Sequence, residues 1–106
     1  MNVLTDLADE HLGLARAAAH GRSAHLLLHD GPLRQTLIAL VGGESLSDHE
    51  TPGAASLLVL RGRVRLTSSD GDTDLSEGTL EAVPDERHGL TALDDAVVLL
   101  TTVTGR

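Results

Sequence analysis

The stretch Gly43-Glu-Ser-Leu-Ser-Asp-His49-Glu-Thr51-Pro-Gly-Ala-Ala55-Ser-Leu-Leu-Val-Leu-Arg-Gly62 decides the fold of this 106-residue chain. His49 and Thr51 stand two apart, which aims both side chains at one face of a strand. Pro52-Gly53 marks a turn. The run Leu57-Leu-Val-Leu60 is apolar at both parities, so both of its faces must be covered: one by a barrel interior, the other by a helix or a second subunit. Beyond it, Arg61, Arg63 and Arg65 share one parity while Leu60, Val64 and Leu66 share the other, so the arginines are expected outside and the aliphatics inside. Strict alternation back from there would put Ala55 and His49 on the arginine side. A bulge or bend between Pro52 and Gly62 is therefore required if His49 is to face a barrel.

Outward from this stretch the chain punctuates itself. Strands are expected over Ala24 to Leu28, Leu33 to Val41, Leu57 to Thr67, Leu80 to Val83, His88 to Ala92 and Ala96 to Val103. Asp30-Gly31-Pro32, Gly42-Gly43, Pro52-Gly53, Ser68-Ser-Asp-Gly-Asp, Glu77-Gly78 and Asp94-Asp95 supply the turns. Residues 5 to 20 have helical periodicity, with Leu4, Leu7, Ala8, Leu12, Ala15 and Ala19 on one stripe. Thr5 is the expected N-cap, and Gly21 the expected left-handed stop. His11 and His20 belong to this helix and are expected to meet water. The chain reads as one all-β domain over residues 1–106, with a helix at about 5–20 and a barrel or sandwich at about 23–104.

Spacing now adds a resemblance. Gly43, His49 and Gly62 stand at the spacing of the first signature motif of the cupin superfamily. Thr51 takes the place of that motif's second histidine, and Ala55 the place of its glutamate. Gly78, Pro84 and His88 resemble the second motif, although His88 arrives one residue early and Ala92 stands where an asparagine is counted. The chain thus resembles the small single-domain bacterial cupins. The resemblance implies an RmlC-like jelly roll, a double-stranded β-helix closed into a barrel, here with one N-terminal α-helix. It also implies a site in the barrel mouth where the family holds iron, manganese, nickel or zinc with three histidines and a glutamate. Carried over residue by residue, only His49 and His88 remain as metal ligands, with Gln35 or His25 as candidates to complete the sphere. Two imidazoles fall short of the three protein ligands usual in catalytic sites, so no tightly held cofactor is expected, a divalent metal being the alternative. The ligand-binding points are then His49, Thr51, His88 and Gln35 among Leu, Val and Ala. The ligand is expected to be small and apolar or weakly acidic.

Composition narrows the remaining classes. A formal charge of −8 argues against nucleic acid, whose binding draws on neutralised phosphates. Phe, Tyr and Trp are absent, which removes stacking platforms for bases and sugars and cages for quaternary amines. Cysteine is absent, excluding disulfides, thiolate metal sites and thiol catalysis. No apolar run reaches membrane-span length and no signal peptide is recognised, so a cytoplasmic location is expected. Asp70, Asp72 and Asp74 alternate, with Glu81 at the twelfth position, but Leu75 replaces the glycine a calcium loop needs, and a hairpin at Asp70-Gly71 is expected instead. The arginines at 61, 63 and 65 are expected to pair across strands with carboxylates. Three functions stand open: small-molecule binding without firm metal, a metal-dependent oxygenase or isomerase using His49 and His88, and a dimeric stress or sensor module. A homodimer is the expected assembly, since the Leu57 to Leu60 run asks for cover on both faces.

Overall fold

The computed structural model describes residues 1–49, 53–83 and 88–104. One helix, α1 (Leu4–Ala17), precedes nine strands: β1 (Arg22–Asp30), β2 (Leu33–Leu40), β3 (Ser45–His49), β4 (Ala54–Arg61), β5 (Arg63–Ser68), β6 (Gly71–Ser76), β7 (Leu80–Ala82), β8 (His88–Ala92) and β9 (Ala96–Val103). They form two antiparallel sheets, β1-β2-β9-β4-β7 and β3-β8-β5-β6, packed face to face as a jelly-roll barrel. Between the sheets Ile38, Leu40, Leu57, Val59, Val64, Leu66, Leu75, Leu90 and Val98 make the main core. With no aromatic residue, that core is filled by branched aliphatics, whose stiff χ1 suits a pleated surface.

The continuous strand expected over Leu57 to Thr67 is two strands, and they lie in different sheets. Gly62 takes a left-handed φ of 71° and turns the chain from one sheet into the other. Just before it the β4–β9 register slips between Val59 and Arg61, a bulge of the kind the parity conflict demanded. Odd-numbered Leu57 and Val59 therefore face the barrel before the corner, and even-numbered Val64 and Leu66 after it. Ala55 keeps the parity of Leu57, so it belongs to the barrel side. Leu60 turns the other way and packs against the second core, under the helix. The helix thus supplies the outer cover that Leu60 requires.

That second core joins Ala8, Leu12 and Ala15 of α1 to Leu37, Ala39 and Val97 of the larger sheet. The helix is shorter than its periodicity suggested. It ends at Ala17, Ala19 and His20 are exposed, and Gly21 turns with φ 64° only after Ala18 has capped the helix in extended conformation. Val3 rather than Thr5 is the N-cap, with no side-chain cap bond. His11 does not meet water: it lies on the same helical face as Ala8, Leu12 and Ala15 and is only 8% exposed. Its Nδ1 is 2.8 Å from Ser23 Oγ, and its ring stacks on His25 with centroids 5.4 Å apart. His25 remains exposed although it carries that stack, and His29 is exposed as well.

The segments between and beyond the expected strands also pair. β6 completes a hairpin with β5 through Ser69 and Asp70, Ser68 facing Gly71, one residue earlier than the expected turn. Arg65 and Asp74 sit opposite each other across it, Nε donating to Oδ1 at 2.7 Å. Asp74 is therefore an ion-pair partner on a strand. Among the described residues no helix is long and apolar enough to cross a membrane.

Candidate functional site

Six strands and the residue after β7 converge on one hollow inside the barrel, lined by Ile38, Leu46, Leu57, Leu66, Val83, His88, Leu90 and Leu100. Each aliphatic reaches it because alternate residues of its strand point inward. His88 opens β8 and is 5% exposed, the one imidazole in a wall of leucine, isoleucine and valine. The hollow has a volume of about 20 Å³, little more than a water molecule needs and far below the several hundred Å³ of a drug-sized site. A ligand entering it must displace side chains.

The backbone register pairs His49 with His88 across β3 and β8. The two motif positions thus stand opposite each other on neighbouring strands. The expectation that both rings point into one cavity falls, for His49, outside the described residues, as do Thr51 and Pro84. Gln35 is not brought to His88. It shares the parity of Leu37 and Ala39, on the outer face of the larger sheet, where its Nε2 donates to Thr101 Oγ1 at 3.2 Å. His25 is on that outer face too, exposed beside His11 of α1. Neither is positioned to complete a sphere around His88.

The described residues do not fit the metal site the resemblance implies. Among them no three His, Cys, Asp or Glu side chains come together. Ala55 presents a methyl group from the barrel side of β4, where the motif counts a carboxylate. What the described wall can do is bury an apolar ligand and offer it one hydrogen-bonding imidazole.

Sequence reading missed most of that wall, because aliphatic lining residues look like any other core. β3 did leave a signal, since Ser45-Leu46-Ser47 alternates polar and apolar as a half-buried strand does.

At the end of the barrel marked by Gly42, Asp94 and Asp95, charge does structural work. Asp95 accepts the Gly42 N–H at 2.9 Å and Arg16 Nε at 2.9 Å, tying the last turn of α1 to two loops. Arg63 Nε donates to Asp94 at 2.9 Å, and Arg61 lies 3.6 Å from Asp9 of the helix. The Gly42 N–H and then Arg16 hold the Asp95 carboxyl below the usual carboxylate range. Arg63 does the same for Asp94 and Arg65 for Asp74, chiefly through hydrogen bonds. A carboxyl whose pKa is lower folded than unfolded contributes stability above the unfolded value, and loses it as pH falls through the folded one. The melting temperature should therefore drop as pH is lowered below the ordinary aspartate value of 3.8. These groups are solvent-exposed, so each contribution is small. Melts followed by circular dichroism from neutral to strongly acidic pH test this, and a profile flat below that value would contradict it. Asp95→Asn should shallow the slope.

No protein-family model matches the chain, and no curated protein matches it. Solved structures match in fold. A conserved protein of unknown function from Streptococcus pyogenes superposes with a TM-score of 0.75 at 23% identity, covering 84% of this chain and 79% of that one. A cupin superfamily protein from Desulfitobacterium hafniense gives 0.74 at 24% identity, covering 79% and 78%. An RmlC-like cupin from Shewanella frigidimarina gives 0.73 at 18% identity, covering 83% and 80%. The fold is that of the cupins.

Proposed function

We propose that this cupin-fold chain binds a small apolar or weakly acidic molecule inside the barrel and holds no metal firmly. The observation that carries the proposal is His88, an imidazole 5% exposed in an otherwise aliphatic wall. An imidazole kept at the centre of a ligand-sized fold gives an incoming carboxyl or hydroxyl a single directional partner, and the leucines around it take the hydrocarbon. The small resting volume favours short ligands.

The metal-dependent enzyme is the second reading, favoured by the His49–His88 strand register. Against it stand Thr51 and Ala55, which remove an imidazole and a carboxylate from the donor set. Even so, an ion held by the two histidines would be lost at acid pH, as protons take the same nitrogens.

One set of measurements separates the readings. The methyl resonances of Leu46, Leu66 and Leu90 are followed during titration with straight-chain acids from acetate to hexanoate and with the matching alcohols. Saturable shifts are expected for the wild type, and His88→Ala should weaken binding about tenfold, the equivalent of one hydrogen bond of about 1.4 kcal/mol. Unmoved pocket methyls throughout both series, or equal affinity in the variant, would sink the binding proposal. Elemental analysis and a thermal melt with and without EDTA accompany it. Substoichiometric metal and an unchanged melt are expected, whereas one ion per chain with a large EDTA-induced loss would establish the enzyme reading.

A further inference from the structure

Arginines in this acidic chain are mostly taken. Among the described residues, Arg16, Arg61, Arg63 and Arg65 each lie against an aspartate, at 2.7 to 3.6 Å. Arg22 and Arg34 have no carboxylate partner there, although the chain carries 16 acidic residues. The strand registers show why Arg34 lacks one. On β2, Arg34, Thr36, Ile38 and Leu40 share the barrel-facing parity, and the pairing with β9 runs without a slip from end to end. Ile38 lines the hollow, and Arg34 stands four residues nearer the strand's start. Its cross-strand neighbours are His29 and Thr102, neither of them an acid. Beyond Thr102 the same row reaches Ala55 and then Val83, whose N–H donates to the Ala55 carbonyl at 2.9 Å. Val83 shares the hollow with His88. Arg34 and His88 therefore stand at the same end of the barrel, on opposite sheets. At the other edge of the larger sheet Glu81 faces Leu57 across β7 and β4, three strands or about 14 Å from β2. The barrel-facing side thus runs from acid at one edge to base at the other.

Resting on the barrel-binding reading above, we infer that the ligand is an ionised carboxylate and that Arg34 selects it. A guanidinium without a protein partner offers a fork of N–H donors that matches two carboxylate oxygens. Facing sheets lie about 10 Å apart, so a head group between them meets Arg34 from one wall and His88 from the other. The hydrocarbon then descends among Ile38, Leu57 and Leu100. Glu81 repels the anion from its own edge and so turns it toward β2. His88 alone does not tell an acid from an alcohol, because an imidazole bonds either. A fixed positive charge does.

Butyrate against butanol, and hexanoate against hexanol, test this on the intact chain at neutral pH, with the methyl resonances of Leu46, Leu66 and Leu90 reporting occupancy. The wild type should bind each acid about tenfold more tightly than its alcohol. Arg34→Gln should lose that preference, its affinity for the acid falling to that for the alcohol while the alcohol binds as before. Arg34→Lys, which keeps the charge without the fork, should recover part of it. Arg22→Gln removes the same charge from an exposed position opposite Leu40, at the other end of β2, and should keep the preference in full. Both arginines are exposed, so the melts of all variants by circular dichroism should match the wild type. Equal affinity for acid and alcohol in the wild type overturns the role of Arg34 and leaves barrel binding standing. So does a preference that survives Arg34→Gln or falls equally in Arg22→Gln. Pocket methyls unmoved by either series remove the barrel-binding reading and this one with it.

Discussion

Gly62→Val is expected to cost at least about 3–4 kcal/mol of folding stability, much of what a domain of this size possesses. The residue sits at φ 71° in the corner between β4 and β5, a conformation that costs a side chain with a Cβ about 1–2 kcal/mol and a β-branched one more. The added carbon would also collide with the carbonyl oxygen of Asp95 and lie 3.1 Å from the Ala96 Cα. Those atoms are backbone and cannot swing aside as a side chain could. Relief would require β9 to move away from the corner, and β9 pairs with both β2 and β4 at the centre of the larger sheet. Gly31→Ala provides the control. Its φ is 57°, but a Cβ there meets nothing within 4 Å, so it should cost only the conformational strain of about 1 kcal/mol. Urea titration followed by circular dichroism reads both, since the chain has no Trp or Tyr to report by fluorescence. Equal losses in the two variants would show that strain alone matters and that the corner is not crowded.

Leu37→Ala is expected to cost about 3 kcal/mol, within the range for deleting a buried leucine side chain, and to lower the melting temperature by about 15 °C. Leu37 is 0% exposed, between the larger sheet and α1, where Ala8, Ala15, Ala39 and Val97 surround it with small side chains. Together with Leu12 it supplies the bulk that spaces helix from sheet at the centre of this core. The loss can be reduced if α1 slides inward, but Arg16 is tied to Asp95, and His11 is set against Ser23 and His25. Leu80→Ala, at 67% exposure, should change the stability of a single chain by less than about 0.5 kcal/mol. A Leu37→Ala penalty as small as that of Leu80→Ala would mean the helix is not a packed part of the fold.

Much of the architecture was legible from residues alone. Two-residue alternation and Gly, Pro and Asp punctuation marked six strand regions. The stripe of Leu7, Ala8, Leu12 and Ala15 marked the helix, and the glycine and histidine spacing pointed to the barrel. Periodicity carries such information because it records which face of each element is dry. The same parity argument even located the bulge before Gly62, from the conflict between Leu57–Leu60 and the arginines that follow.

The site was less legible, because a candidate ligand is defined by what stands opposite it. Gln35 and His88 look alike in sequence as polar residues on apolar strands. Register alone assigns one to the outer face and the other to the barrel, since a shift of one residue reverses every side chain. His11 looked like a solvated helical histidine until the helix was laid on Ser23 and His25. The chain by itself thus determined where it is strand, turn and helix, because those depend on neighbours within a few residues. Only the tertiary structure decided which of its polar groups share a space, because those contacts join residues such as Gln35 and Thr101, or Arg16 and Asp95, that local pattern cannot connect.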